Sequence, residues 1–115
     1  MIVKAEKNFR HQISKGTEYQ VLEIIIKRNS NVISYRIVDN DSIPAIYENS
    51  LFSVVSNYME NASVIFDDAQ IVMSHKLITD SKLNQTHTEG FWGAFFEDDP
   101  VAMRILEEVI VGGHE

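Results

Sequence analysis

The chain of 115 residues contains no cysteine, two prolines and five glycines. The absence of cysteine excludes disulfides, thiol nucleophiles and thiolate metal ligands, and it favours a reducing compartment, so we expect a cytoplasmic protein. No apolar run exceeds three residues, as at 24–26 and 109–111, which is far short of the roughly 20 residues that span a membrane. The first residues also lack the apolar segment of a signal peptide. We therefore expect no membrane partner.

The charges are distributed unevenly along the chain, whose net charge is −7. Residues 1–36 carry seven of the ten Lys and Arg residues but three of the 17 acidic residues. The remainder is strongly acidic, so it repels the phosphates of nucleic acids and membranes and attracts a basic partner.

The first half has the pattern of strands joined by tight turns. Residues 19–27 and 32–38 are rich in β-branched side chains and partly alternate with polar ones, and residues 29–31 between them predict a hairpin turn. Further along, the pattern predicts a short strand at 45–47, a helical turn at 48–51, a strand at 52–56 and a second hairpin of 62–66 with 70–73.

The C-terminal part has the pattern of helices. Residues 74–87 predict a loop or frayed helix, and residues 91–96 a short helix capped by Thr88. A longer helix begins with Asp99 as N-cap and Pro100 as first residue, and Gly112 supplies its end. Its predicted buried face consists of Ala102, Ile105, Leu106, Val109 and Ile110.

Together these elements predict an α+β protein. Its sheet is either a small twisted antiparallel sheet or an SH3-like barrel, followed by a hairpin and two C-terminal helices. We interpret residues 1–115 as one domain. Within it, residues 15–56 form the barrel-like part and residues 57–115 the hairpin and helices.

Two segments resemble known proteins. Residues 15–56, with Lys15-Gly16-x-x-Tyr19-x-Val21, two long strands, a helical turn and a closing strand, resemble an SH3-like barrel. Residues 90–100, Gly-Phe-Trp-Gly-x-Phe-Phe followed by Asp-Asp-Pro, and the helix after them resemble the C-terminal region of small uncharacterised bacterial proteins. Some of those are similar to immunity proteins of toxin systems. The resemblance implies a bacterial inhibitor of a toxin and carries over no functional residue.

The sequence offers no recognisable catalytic, metal or cofactor site. The histidines are not spaced as helical metal ligands; they are His11, His75, His87 and His114. Residues 39–44 begin like a calcium loop, but Ile43 replaces an oxygen ligand and Pro44 replaces the glycine of the turn. Nucleophile-elbow serines and glycine-rich phosphate loops are also missing. We therefore expect a non-enzyme without a cofactor.

A group of aromatic residues precedes the last helix, and either a core or an interface would explain it. With the acidic residues that follow, it suggests a contact patch for a basic protein, such as an immunity-type inhibitor would use on a toxin. We assign to this patch Trp92, Glu97, Asp98 and Asp99. One alternative is self-association through strand 19–27 at a sheet edge. A less favoured one is nucleic-acid binding by the basic residues of segment 4–15.

Overall fold

The computed structural model describes residues 1–112, which form an antiparallel sheet followed by helices near the C-terminus. The strands are β1 (Ile2–Ala5), β2 (Glu18–Lys27), β3 (Ile33–Val38), β4 (Pro44–Glu48), β5 (Phe52–Ser56), β6 (Ala62–Phe66) and β7 (Gln70–His75). A 3₁₀ turn, Asn49–Leu51, joins β4 to β5. The helices are α1 (Lys76–Thr79), α2 (Leu83–Thr86), α3 (Gly90–Phe96) and α4 (Pro100–Gly112). The predicted α+β class is confirmed.

Strand β2 organises the sheet. One side of β2 pairs with β3, whereas the other side pairs first with β1 and then, farther along, with β7. Strand β5 lies outside β1, and β6 lies outside β7. The sheet does not close into a barrel, so the predicted antiparallel sheet is confirmed and the SH3-like barrel is wrong. The prediction that strand 19–27 lies at an edge is also wrong, because β2 has neighbours on both sides.

A bulge at Leu22 interrupts the alternation of β2. Val21 pairs with Ile37, but Glu23 pairs with Arg36, so β2 has one residue more than β3 between these pairs. An extra residue reverses which face the following side chains occupy. Glu23 therefore lies on the helix side of the sheet rather than beside Val21.

Two hydrophobic cores cover the two faces of the sheet. The first lies between the strands of the N-terminal half and consists of Val3, Ala5, Ile13, Tyr19, Val21, Tyr35, Ile37 and Tyr47. The second joins the sheet to the helices and consists of Leu22, Ile78, Phe91, Ala94, Ala102, Leu106 and Val109. Leu22 supplies the sheet residue of the second core, because alternation along β2 places it on the opposite face from Val21.

Both C-terminal helices lie where the sequence predicts them. The Oδ1 of Asp99 accepts the backbone N–H groups of Val101 and Ala102 at 2.9 and 3.1 Å, which confirms the predicted N-cap of α4. The predicted inner face of α4 is confirmed as well, with Ala102 fully buried. The Thr88 cap is wrong. The side-chain oxygen of Asn84 accepts the N–H of Phe91 instead.

Candidate functional site

A buried ion pair joins the sheet to α3. The carboxylate of Glu23 accepts Nε–H of Arg36 at 3.1 Å on Oε1 and the indole N–H of Trp92 at 2.8 Å on Oε2. The Arg36 guanidinium lies over the Trp92 ring, 4.2 Å from its centroid. Both partners of the ion pair are shielded from water, with side chains 7% exposed for Glu23 and 11% for Arg36.

Burial lowers the pKa of Arg36, and the charge and hydrogen bond of Glu23 act in the opposite direction. Each oxygen of Glu23 has a donor, so the buried charge is compensated in place. A cleft of about 150 Å³ opens beside this group between the β6–β7 hairpin and the helices, lined among others by Glu23, Ile65 and Trp92. Because its carboxylate and indole are already engaged, the Glu23–Arg36–Trp92 group acts as an anchor that holds α3 on the sheet.

The residues predicted as a contact patch have separate partners. Trp92 is engaged by Glu23, and Oε2 of Glu97 lies 2.7 Å from Nε2 of His87. Asp99 caps α4, while Asp98 is exposed in a left-handed backbone conformation with φ 63°. The carboxylates of Glu97 and Asp98 face solvent, and their binding of a partner stays a prediction.

The aromatic group of α3 is divided between core and surface. Phe91 is buried, Trp92 and Phe95 are half-buried, and Phe96 is exposed. Their rings contact one another mainly edge to face, with Phe91 and Trp92 centroids 5.0 Å apart. Neither of the two interpretations of the group holds for all four rings.

The basic N-terminal segment forms a loop packed against the loop after β3. Nε2 of His11 lies 2.9 Å from a carboxylate oxygen of Asp41, and the ring of Phe9 packs edge-on against Tyr47. The basic side chains of this segment nevertheless remain exposed, and their binding of nucleic acid stays a prediction. His114 lies outside the described residues, and among residues 1–112 no three His, Asp or Glu side chains come together in a metal-binding arrangement.

Strand β6 presents the most apolar edge of the sheet. Val64 and Ile65 are each 49% exposed and Phe66 is 71% exposed. The strand contains neither proline nor a charged residue, and within residues 1–112 it pairs only with β7. An edge of this kind is a template for pairing with another chain.

The hydrogen bonds of the hairpin show which backbone groups of β6 are free to pair. In an antiparallel pair, residues alternate between those that bond the neighbouring strand and those whose N–H and C=O point away. The N–H of Asp67 donates a 3.0 Å hydrogen bond to the carbonyl of Gln70 and so points toward β7. Ile65 lies two residues earlier, so its N–H and C=O also point toward β7. The backbone groups that point away from β7 are those of Ala62, Val64 and Phe66.

An apolar face adjoins this edge. The register places Val64 opposite Met73 and Phe66 opposite Ile71, which in turn lie opposite two isoleucines of β2. Val64 and Phe66 are exposed, and the other four side chains are half-buried. We call this surface the hairpin face; it consists of Ile24, Ile26, Val64, Phe66, Ile71 and Met73. Exposed apolar patches of several adjacent side chains mark interaction surfaces.

The other two sheet edges are protected. Strand β4 begins with Pro44, which has no N–H, and the Arg36 side chain donates to its carbonyl at 3.1 Å. Strand β5 changes register against β1 after Val54, so it carries a bulge. Prolines and bulges are the devices by which edge strands avoid pairing with other chains. Strand β6 has neither device.

The sequence predicts a hairpin of residues 62–66 with 70–73 but no binding surface there. The signal was the uninterrupted apolar run Val64-Ile65-Phe66, since a strand with one buried face would alternate. No family model, curated protein or solved structure matches this chain. Through residue 112, every helix is too short or too polar to cross a bilayer.

Proposed function

We propose that this protein is a protein-binding module and that it binds through the edge of β6 and the hairpin face. The observation that supports this most is the exposure of Val64, Ile65 and Phe66 on a strand with a free edge. Main-chain hydrogen bonds along such an edge give affinity, and the adjoining side chains give specificity.

The charge of the chain indicates the kind of partner. With a net charge of −7 the protein attracts basic partners and accelerates their encounter. An immunity-type inhibitor that neutralises a basic toxin in the cytoplasm is the most concrete form of this proposal. In that form the exposed carboxylates of Glu97 and Asp98 steer the toxin, whereas β6 supplies the contact.

Co-purification from the cells that naturally express the protein tests the proposal. The test variant is Val64→Ser with Phe66→Ser, which makes the hairpin face polar and leaves the ladder to β7 intact. Val54→Ser is a matched control, because Val54 on β5 is 51% exposed and Val64 is 49% exposed. Circular dichroism verifies that both variants are folded.

We expect the wild type and Val54→Ser to recover a basic protein in equal molar amount. The double variant should recover at least about tenfold less of it, since about 1.4 kcal/mol of lost binding energy has this effect. Recovery of no stoichiometric partner would refute the proposal. Equal recovery by the double variant would show that the partner binds elsewhere.

A further inference from the structure

We infer that the occupant of the β6 edge is an extended segment of another protein, with an apolar centre and Lys or Arg residues at both ends. This inference rests on the proposed function and specifies its partner. Three features of the β6 edge support the inference. They are the direction of the free backbone groups, the charges at the two ends of β6, and the register in which a second copy of the chain would have to pair.

The free backbone groups define where the added strand lies. The N–H and C=O groups of Ala62, Val64 and Phe66 point away from β7, as the phase of the Asp67–Gln70 hydrogen bond shows. An added strand pairs with these three residues in turn. Its side chains then alternate between the hairpin face, beside Val64 and Phe66, and the cleft side, beside Ile65.

Carboxylates flank the edge at both ends. Glu60 precedes β6, and Asp67 and Asp68 follow it; all three are exposed. Hydrogen bonds from the N–H groups of Gln70 and Ala69 lower the pKa of Asp67, which keeps this group charged. A strand whose two ends carry Lys or Arg therefore meets opposite charge at both ends.

The same charges oppose a second copy of this chain. Antiparallel self-pairing that uses all three outward-facing residues has one register, which centres Val64 on Val64 of the other copy. This register brings Glu60 toward Asp68 at both ends of the paired strands. Like charges directly opposite one another destabilise a strand pair. The charge pattern thus selects a basic segment over self-association.

The test uses synthetic peptides of alternating valine and threonine, with two lysines or two glutamates at each end. Their binding to the full chain is measured by fluorescence anisotropy. Val64→Pro removes one outward N–H and no hydrogen bond to β7, and Val64→Thr is the control that keeps this N–H. The triple variant Glu60→Lys, Asp67→Asn and Asp68→Lys reverses the charge at both ends, keeps a side-chain acceptor at residue 67 for the N–H groups of Ala69 and Gln70, and does not depend on proline being tolerated.

At low salt we expect the lysine peptide to bind at least about tenfold tighter than the glutamate peptide, and this difference should shrink in about 0.5 M salt, where charges are screened. Val64→Pro should abolish binding, Val64→Thr should retain it, and the charge-reversed variant should prefer the glutamate peptide.

If both peptides bound equally well and Val64→Pro abolished the binding of both, the requirement for Lys or Arg at the ends would be wrong, but the β6 edge would remain the binding surface. A dimer in light scattering that Val64→Pro dissociates would overturn the choice of occupant. Binding of neither peptide at about 1 mM would overturn both this inference and the proposed function.

Discussion

The indole N–H of Trp92 donates a 2.8 Å hydrogen bond to Oε2 of Glu23, a carboxylate 69 residues away in the sequence. This bond joins α3 to the central strand of the sheet. We expect Trp92→Phe to lower the free energy of unfolding by about 1–3 kcal/mol, because it leaves a buried charged oxygen without its donor. Urea denaturation followed by circular dichroism measures the change. Phe96→Tyr is the control, since Phe96 is 52% exposed, and an equal loss there would contradict this role of Trp92.

Arg36 is the second partner of Glu23, and its removal should cost more. Arg36→Met leaves the Glu23 carboxylate buried and without its ion-pair partner, a change that typically costs about 3–5 kcal/mol. Adding Glu23→Gln removes the unpaired charge and keeps an oxygen for the indole N–H. We therefore expect the double variant to be more stable than Arg36→Met alone by at least about 1 kcal/mol. Chemical denaturation of the wild type and the two variants decides this, and a double variant less stable than Arg36→Met would refute it.

The N-cap of α4 gives a third prediction. Asp99→Ala removes the acceptor of the Val101 and Ala102 N–H groups, which should lower the free energy of unfolding by about 0.5–2 kcal/mol. Asp99→Ser keeps a capping oxygen and should retain most of this stability. Thermal unfolding compares the two variants. If the serine variant lost as much as the alanine variant, the stability would come from charge rather than capping.

The Tyr47 hydroxyl donates a 2.7 Å hydrogen bond to Oδ2 of Asp39 in the first core. Burial first, and then the hydrogen bond and negative charge of Asp39, raise the pKa of Tyr47. The folded state therefore holds this proton more tightly than the unfolded chain does. The resulting stability is fully present below about pH 10, the ordinary pKa of tyrosine, and declines as the pH rises above it.

Tyr47→Phe tests this linkage. The variant should be less stable than the wild type at pH 7 by about 1.5–3 kcal/mol, through loss of one hydrogen bond to a buried carboxylate. Above about pH 10 its stability should fall less steeply than that of the wild type. Urea denaturation between pH 8 and pH 11 gives both slopes. If the free energy of unfolding fell equally steeply with pH in the wild type and in Tyr47→Phe, Tyr47 would not be the source of this pH dependence.

Local patterns were sufficient for most of the secondary structure. The predicted turn at residues 29–31 is confirmed: the N–H of Asn31 donates a 2.9 Å hydrogen bond to the carbonyl of Lys27, and Asn31 has a positive φ of 54°. The Asp99-Pro100 signal located the start of α4, because capping depends on neighbouring residues alone. Strand β1 was not predicted, since four residues interrupted by Lys4 give little alternation.

Features that depend on distant partners could not be predicted in the same way. The burial of Glu23 follows from the bulge at Leu22, which the alternation of β2 does not reveal. The edge position assigned to residues 19–27 was wrong, because β1 and β7 come from opposite ends of the sheet part of the chain. The sequence of α3 alone does not tell which of Phe91 and Phe96 is buried, because the burial of Phe91 depends on the helices that pack around α3.

The most direct test of the binding surface is the mapping of amide chemical shifts in the isotope-labelled protein as the lysine-flanked peptide is added. Binding along the β6 edge predicts that the largest shifts occur at the outward amides of Ala62, Val64 and Phe66, with smaller ones at the inward amide of Ile65. Largest shifts at the Trp92 indole and the amides of residues 97–99 would contradict it and place the binding surface at the start of α4.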